Sequence, residues 1–159
     1  MKLSPLQLAR YFVTDIGCKA NPQFNPEREM QGALEQFSVN VRLNALPPEK
    51  DVSGHSWSLE MEIAQRKKED QNFPYEFHIS LLGIFTSQEG PNLEMETTFV
   101  QVNGSSSLYG MAREHIRALT AAGPWSEIIL PTVSFYENND KEAASKVVPA
   151  VSPEAKTGQ

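Results

Sequence analysis

The chain has 159 residues, one domain's worth at roughly 150 residues per domain, and at that size about two thirds of the unfolded surface can be buried. Its 40% hydrophobic and 21% charged composition is ordinary for a globular protein; no run approaches the ~18 apolar residues of a membrane helix, and Met1 to Leu8 lacks the apolar core of a secretory leader. The net charge of -6 disfavours a phosphate-binding surface and hence nucleic acid as a partner, and the single Cys18 permits no internal disulfide, which points to the cytosol.

Leu8 to Cys18 is a mixed strand. Leu8, Arg10, Phe12, Thr14, Ile16 and Cys18 alternate with Gln7, Ala9, Tyr11, Val13 and Asp15, so neither face is clean. Such a strand suits a sheet edge or a surface shared with another chain. Asn21-Pro-Gln-Phe-Asn-Pro26 then reads as a loop, and Glu27 to Glu35 as the place of a short helical turn.

Between Phe37 and Phe85 three segments alternate with period two and form a meander. In the first, Phe37, Val39, Val41 and Leu43 oppose Ser38, Asn40, Arg42 and Asn44. Paired prolines and a glycine between Leu46 and Gly54 end it. Trp57, Leu59, Met61 and Ile63 then oppose Ser58, Glu60 and Glu62; after the polar break from Arg66 to Pro74, Tyr75, Phe77, Ile79 and Leu81 oppose Glu76, His78 and Ser80. Around Leu82, Ile84 and Phe85 both faces turn apolar.

Leu93 to Val102 fits two periods, with Leu93, Met95, Thr97 and Phe99 spaced as a strand and Leu93, Glu96 and Val100 as a helix. A helix is expected from an N-cap at Ser107 to Gly123-Pro124, with Leu108, Met111, Ala112, His115, Ile116 and Leu119 as its stripe. Trp125, Ile128, Leu130, Val133 and Phe135 read as a closing extended segment, and residues 137–159 as a flexible tail after a domain over 1–136.

Several of these pieces resemble one family when taken in order: Tyr11-Phe-Val-Thr-Asp-Ile16, the strand end Gly83-Ile84-Phe85, Leu108-Tyr-Gly-Met-Ala-Arg-Glu114, and Leu130-Pro-Thr-Val-Ser-Phe135. The chain is similar to the SecB family of export chaperones over most of positions 8 to 136. The resemblance implies an α+β fold, a four-stranded antiparallel sheet with helices packed on one face, assembled as a homotetramer, a dimer of dimers. It places Leu93 to Val102 in the helical layer. It implies an ATP-independent holdase without cofactor, whose partners are unfolded polypeptides and the translocase ATPase. Relatives also serve as dedicated chaperones of antitoxins. Family export members end in an acidic, metal-binding tail; Lys141 to Gln159 has three lysines and neither Cys nor His, which puts ATPase docking through that tail in doubt.

A holdase needs apolar area without sequence demands, because removal of apolar surface from water is nondirectional and contributes about 25 cal/mol per Å2. Trp57, Phe77, Phe85, Phe99, Tyr109 and Trp125 are the aromatic candidates for client contact, against a core role for each. Asp15, Glu60 and Glu62 offer an acidic surface to a basic partner, or a plain solvated face. Met111, Ala112, Ile116 and Leu119 are candidates for a subunit interface or an intrachain helix face, and Gly83, Gly104 and Gly110 for close packing or turns.

Two other classes stand beside the holdase. An adaptor would form one selective complex and give no general protection. An enzyme would need groups that meet, and His55, His78, His115 and Cys18 fall in no recognised arrangement: HExxH, CxxC, Walker and G-x-S-x-G patterns are all missing from the sequence.

Overall fold

The computed structural model describes residues 3–30, 37–48, 54–66, 72–88 and 92–136. Strands β1 (Leu6–Ala20), β2 (Ser38–Ala45), β3 (His55–Gln65) and β4 (Tyr75–Ser87) precede one long helix, α1 (Leu93–Ala121). All neighbouring strands are antiparallel, in the spatial order β1-β4-β3-β2. The meander therefore forms as its alternation predicts, and β1 adds to the far side of β4. Residues 31–35 of the expected helical turn, and the tail from 137, lie outside the described residues; Glu27 and Arg28 form a turn and bend, and Glu29 and Met30 are irregular.

Strand β1 explains its own mixed sequence. Its pairing with β4 shifts between Leu8 and Arg10 and again between Val13 and Asp15. Each extra residue exchanges the two faces of the strand beyond it. With Leu8 opposite Phe85, Tyr11 opposite Gly83, Val13 opposite Leu81, Ile16 opposite Ile79 and Cys18 opposite Phe77, the helix-side face of β1 stays apolar along its length. Arg10, Phe12, Asp15 and Lys19 take the outer face.

The core lies between the sheet and α1. Trp57, Leu59, Met61 and Ile63 of β3 and Tyr75, Phe77, Ile79, Leu81 and Phe85 of β4 are buried, as the period-two reading requires. Against them α1 buries Glu96, Val100, Gly104, Leu108, Ala112, Ile116 and Thr120, one residue in every four. A spacing of four overruns the helical period, so the line of buried positions winds around the helix. Gly83 and Gly104 allow the close approach: a Cβ on Gly83 would stand 2.7 Å from Phe85 and 2.9 Å from Leu108, and one on Gly104 would stand 3.1 Å from Leu59. Gly110 meets nothing within 4 Å.

The helix spans 29 residues, so Leu93–Val102 is helical and the expected start at Ser107 is corrected. Asn92 is the N-cap, its side chain accepting from the Met95 N–H at 2.8 Å. Ser107 instead lies mid-helix, bonding back to the Asn103 carbonyl at 2.9 Å. The helical layer implied in the plural consists, among the described residues, of this one helix. Its end is held by the Tyr75 hydroxyl, which lies 3.0 Å from the Thr120 carbonyl and accepts the Trp125 N–H at 2.9 Å. A Cβ on Gly123 would meet that hydroxyl at 2.6 Å, which accounts for glycine in this turn.

Candidate functional site: two flanks of the helix

Because α1 is narrower than the sheet, the strands on either side of it are covered differently. On the β2 side, the segment after the turn lies alongside α1. The Tyr109 hydroxyl donates to the Pro131 carbonyl at 2.7 Å, Arg113 Nε donates to the Leu130 carbonyl at 2.9 Å, and Ile128 and Leu130 are buried. Arg117 adds ion pairs to Glu114 and Glu127 at 2.5 and 3.0 Å. Glu114 is held below the usual carboxylate range by its hydrogen bond from Arg117, whose own pKa is raised by those carboxylates.

This flank carries an aromatic row. Phe37 stacks on Tyr109 with ring centres 6.4 Å apart, and Phe135 meets Tyr109 edge-on at 5.8 Å. Phe37, Phe135, Val133, Val39 and Val41 are half-buried around it. The Tyr109 hydroxyl is pushed up by burial, with Arg113 opposing, so it stays a neutral donor. These half-buried side chains form an apolar strip, the β2-side groove, suited to holding an extended chain by area, while the buried Tyr109 hydroxyl is already taken up by the Pro131 carbonyl.

On the β1 side no described segment covers the sheet. Tyr11, Val13 and Ile16 face the helix side yet are 40%, 38% and 37% exposed. Met111, His115 and Leu119 of α1 border them, with His115 6.2 Å from the Tyr11 ring. This is an apolar shelf. On the outer face, Phe12 lies opposite Leu82 with Ile84 beside it, so β1 is apolar on both sides at its middle.

The sequence candidates divide accordingly. Trp57, Phe77 and Phe85 are interior side chains at 3%, 1% and 1% exposure and present no surface for a client. Their alternation on the helix side of the sheet puts them under α1. Tyr109 belongs to the groove, although mostly as a buried wall. Trp125 is half-buried and pinned, its indole N–H donating to the Asn21 carbonyl at 3.1 Å and its ring edge-on to Phe24 at 5.3 Å. Phe99 is open on the first half of α1, near exposed Leu93 and Met95.

Of the helix candidates, Ala112 and Ile116 are fully buried against the sheet and cannot meet another subunit, whereas Met111 and Leu119 border the shelf. The acidic candidates do share one surface: Asp15 and Glu62 both oppose Ser80 on the outer face, and Glu60 stands two residues before Glu62. Glu60 pairs with Arg42 at 3.2 Å and Asp15 with His78 at 3.1 Å. Spacing alone does not single out Phe37, Phe135, Tyr11, Val13 and Ile16. The bulges that gather the last three leave no mark in an alternation pattern.

One polar chain, buried at Trp57, Ser87 and Glu96 and open to solvent at His55, joins the sheet to the start of α1. The Trp57 indole donates to Ser87 Oγ at 2.8 Å, Ser87 donates to the buried Glu96 carboxylate, and His55 Nδ1 lies 2.9 and 3.0 Å from its two oxygens. The three histidines are thus apart, with Glu96, Asp15 and Tyr11 as their separate neighbours. Cys18 has its thiol pKa raised by burial, which makes it a poor nucleophile. Among the described residues no group of three or more His, Cys, Asp or Glu side chains could hold a metal, and no helix is long and apolar enough to cross a membrane.

Neither a protein-family model nor a curated protein sequence matches the chain. Among solved structures, it is similar to the SecB-like chaperone Rv1957 of Mycobacterium tuberculosis, determined in complex with a ChAD peptide from the HigA1 antitoxin. That likeness covers 80% of this chain and 90% of that one, with 12% identity and a TM-score of 0.56. A Streptococcus agalactiae protein of unknown function is similar over 80% of this chain and 97% of its own, with 13% identity and a TM-score of 0.53. At these identities the likeness is one of fold, and the four-stranded antiparallel sheet with a helix packed on one face is a SecB-like architecture.

Proposed function

We propose that this chain is an ATP-independent, SecB-like chaperone that holds an extended segment of a dedicated partner protein, as a chaperone of an antitoxin does. The observation that carries the reading is the fold shared with a SecB-like chaperone solved in complex with a peptide from an antitoxin. The half-buried row of Phe37, Val133 and Phe135 about Tyr109 supplies the apolar area such holding needs. Holding of this kind uses no cofactor and no catalysis. General export, with delivery to the translocase ATPase, uses the same groove and would add a contact at Asp15, Glu60 and Glu62. The cytosol is the compartment this reading requires.

Assembly belongs to the same proposal. The apolar shelf of Tyr11, Val13 and Ile16, bordered by Met111 and Leu119, is taken as the subunit contact of a dimer of dimers. Copurification of the untagged protein with its bound polypeptides tests the reading: one recurrent partner, protected from aggregation while unrelated clients are not, supports a dedicated chaperone. Equal protection of unrelated clients would move the assignment to general holding, and a protein free of bound polypeptide that protects none would defeat both.

A further inference from the structure

Both edges of the sheet lack a strand neighbour among the described residues, and they differ in kind. The two register shifts of β1 break its outward hydrogen-bonding groups into short runs, a device that discourages strand addition. Strand β2 pairs with β3 without any shift from Ser38 to Ala45. Only Arg42 is charged in its sequence.

The orientation of the β2 backbone is fixed by one bond. The Leu46 N–H donates to the Ser56 carbonyl at 2.8 Å, which makes 46 and 56 a hydrogen-bonded pair of the ladder. Alternation along an antiparallel pair then turns the peptide groups of Ser38, Asn40, Arg42 and Asn44 toward β3 and those of Val39, Val41 and Leu43 toward the open edge. Val39 and Val41 also place half-buried side chains on the helix side, in continuity with the groove of Phe37, Tyr109 and Phe135.

We infer that β2 is the edge on which a client segment adds as a further strand; this rests on the polypeptide-holding reading and says how the chain is held. The occupant is an extended segment alternating apolar and polar residues. Those opposite Val39 and Val41 enter the groove, and those between them lie on the outer face beside Asn40 and Arg42. Arg42 pairs with Glu60 on β3 at 3.2 Å, yet its side chain is 66% exposed and leaves guanidinium N–H groups open on the edge side, so it favours an acidic residue there by charge complementarity. Main-chain bonds to the edge hold any sequence of this pattern, and the groove and Arg42 choose among them.

The test uses the full, isotope-labelled chain and a capped nonapeptide alternating leucine and threonine, with aspartate at its central polar position. Hydrogen exchange at the Val39, Val41 and Leu43 amides is expected to slow about tenfold or more on peptide addition, with Asn40 and Arg42 unchanged. Val41→Pro removes an outward donor without removing a bond to β3 and is expected to weaken the peptide about tenfold, with Val41→Thr close to the parent protein. Should the proline variant not fold, N-methylation of the peptide at the residues opposite Val39 and Val41 carries the same expectation, against no effect of methylation at the alternate residues. Peptide binding that leaves the three amides unprotected and ignores N-methylation overturns strand addition while polypeptide holding stands. Failure to bind either this peptide or a permanently unfolded protein overturns both. Protection of the three amides before peptide is added, released by dilution or by deleting residues 137–159, also overturns it, because a second copy or the chain's own end would then occupy the edge.

Discussion

At the scale of single residues, the costly positions are those that tie α1 to the sheet. Glu96 is a buried carboxylate satisfied by Ser87 and His55. Ser87→Ala removes one donor from it and leaves the Trp57 indole without its acceptor, so denaturant unfolding is expected to show a loss of about 1–3 kcal/mol. Ser105 is the internal comparison: its hydroxyl is buried with no hydrogen-bond partner among the described residues, and Ser105→Ala is expected to be neutral or stabilising in the same measurement. Gly83→Ala forces a methyl between Phe85 and Leu108, for which overpacking predicts a loss of about 1–3 kcal/mol. None of these residues stands out as a site in the sequence, because a hydrogen-bonded carboxylate and a solvated one are written with the same letter.

At the scale of elements, alternation makes the three meander strands legible, since one side of each packs against α1 and the other meets solvent. Strand β1 is legible only in outline. Its bulges preserve an apolar helix-side face that strict period-two counting scrambles. In Leu93–Val102 the strand-like spacing misleads because Leu93, Met95 and Phe99 are exposed, while Glu96 and Val100 are the buried contacts. The same distinction divides the aromatic residues. Trp57→Ser and Phe85→Ser empty the core and are expected to cost about 3–5 kcal/mol, with client capture lost through unfolding. Phe135→Ser acts on a half-buried wall of the groove, and is expected to weaken capture with circular dichroism and oligomer mass unchanged.

At the scale of the whole molecule, the helix leaves one flank closed by the segment through Leu130 and the other, among the described residues, uncovered at β1, and the proposed division of labour rests on that asymmetry. Val13→Glu puts a charge on the exposed shelf, so light scattering across a concentration series is expected to show a fall from the proposed tetramer toward smaller species; an unchanged mass would exclude the shelf as the subunit contact. The order of elements and the fold class can be read without the structure because each rests on local spacing and on motifs in sequence order. The groove cannot, since Phe37, Tyr109 and Phe135 come together only through the turn that Tyr75 secures. The central claim is that this groove holds polypeptide in extended form. Calorimetry of a permanently unfolded polypeptide against the intact protein at several temperatures tests it most directly. Binding with a negative heat-capacity change, weakened by Phe135→Ser and absent for the same polypeptide in its folded state, is the predicted result. No binding, or binding of folded and unfolded forms alike that ignores Phe135, would contradict it.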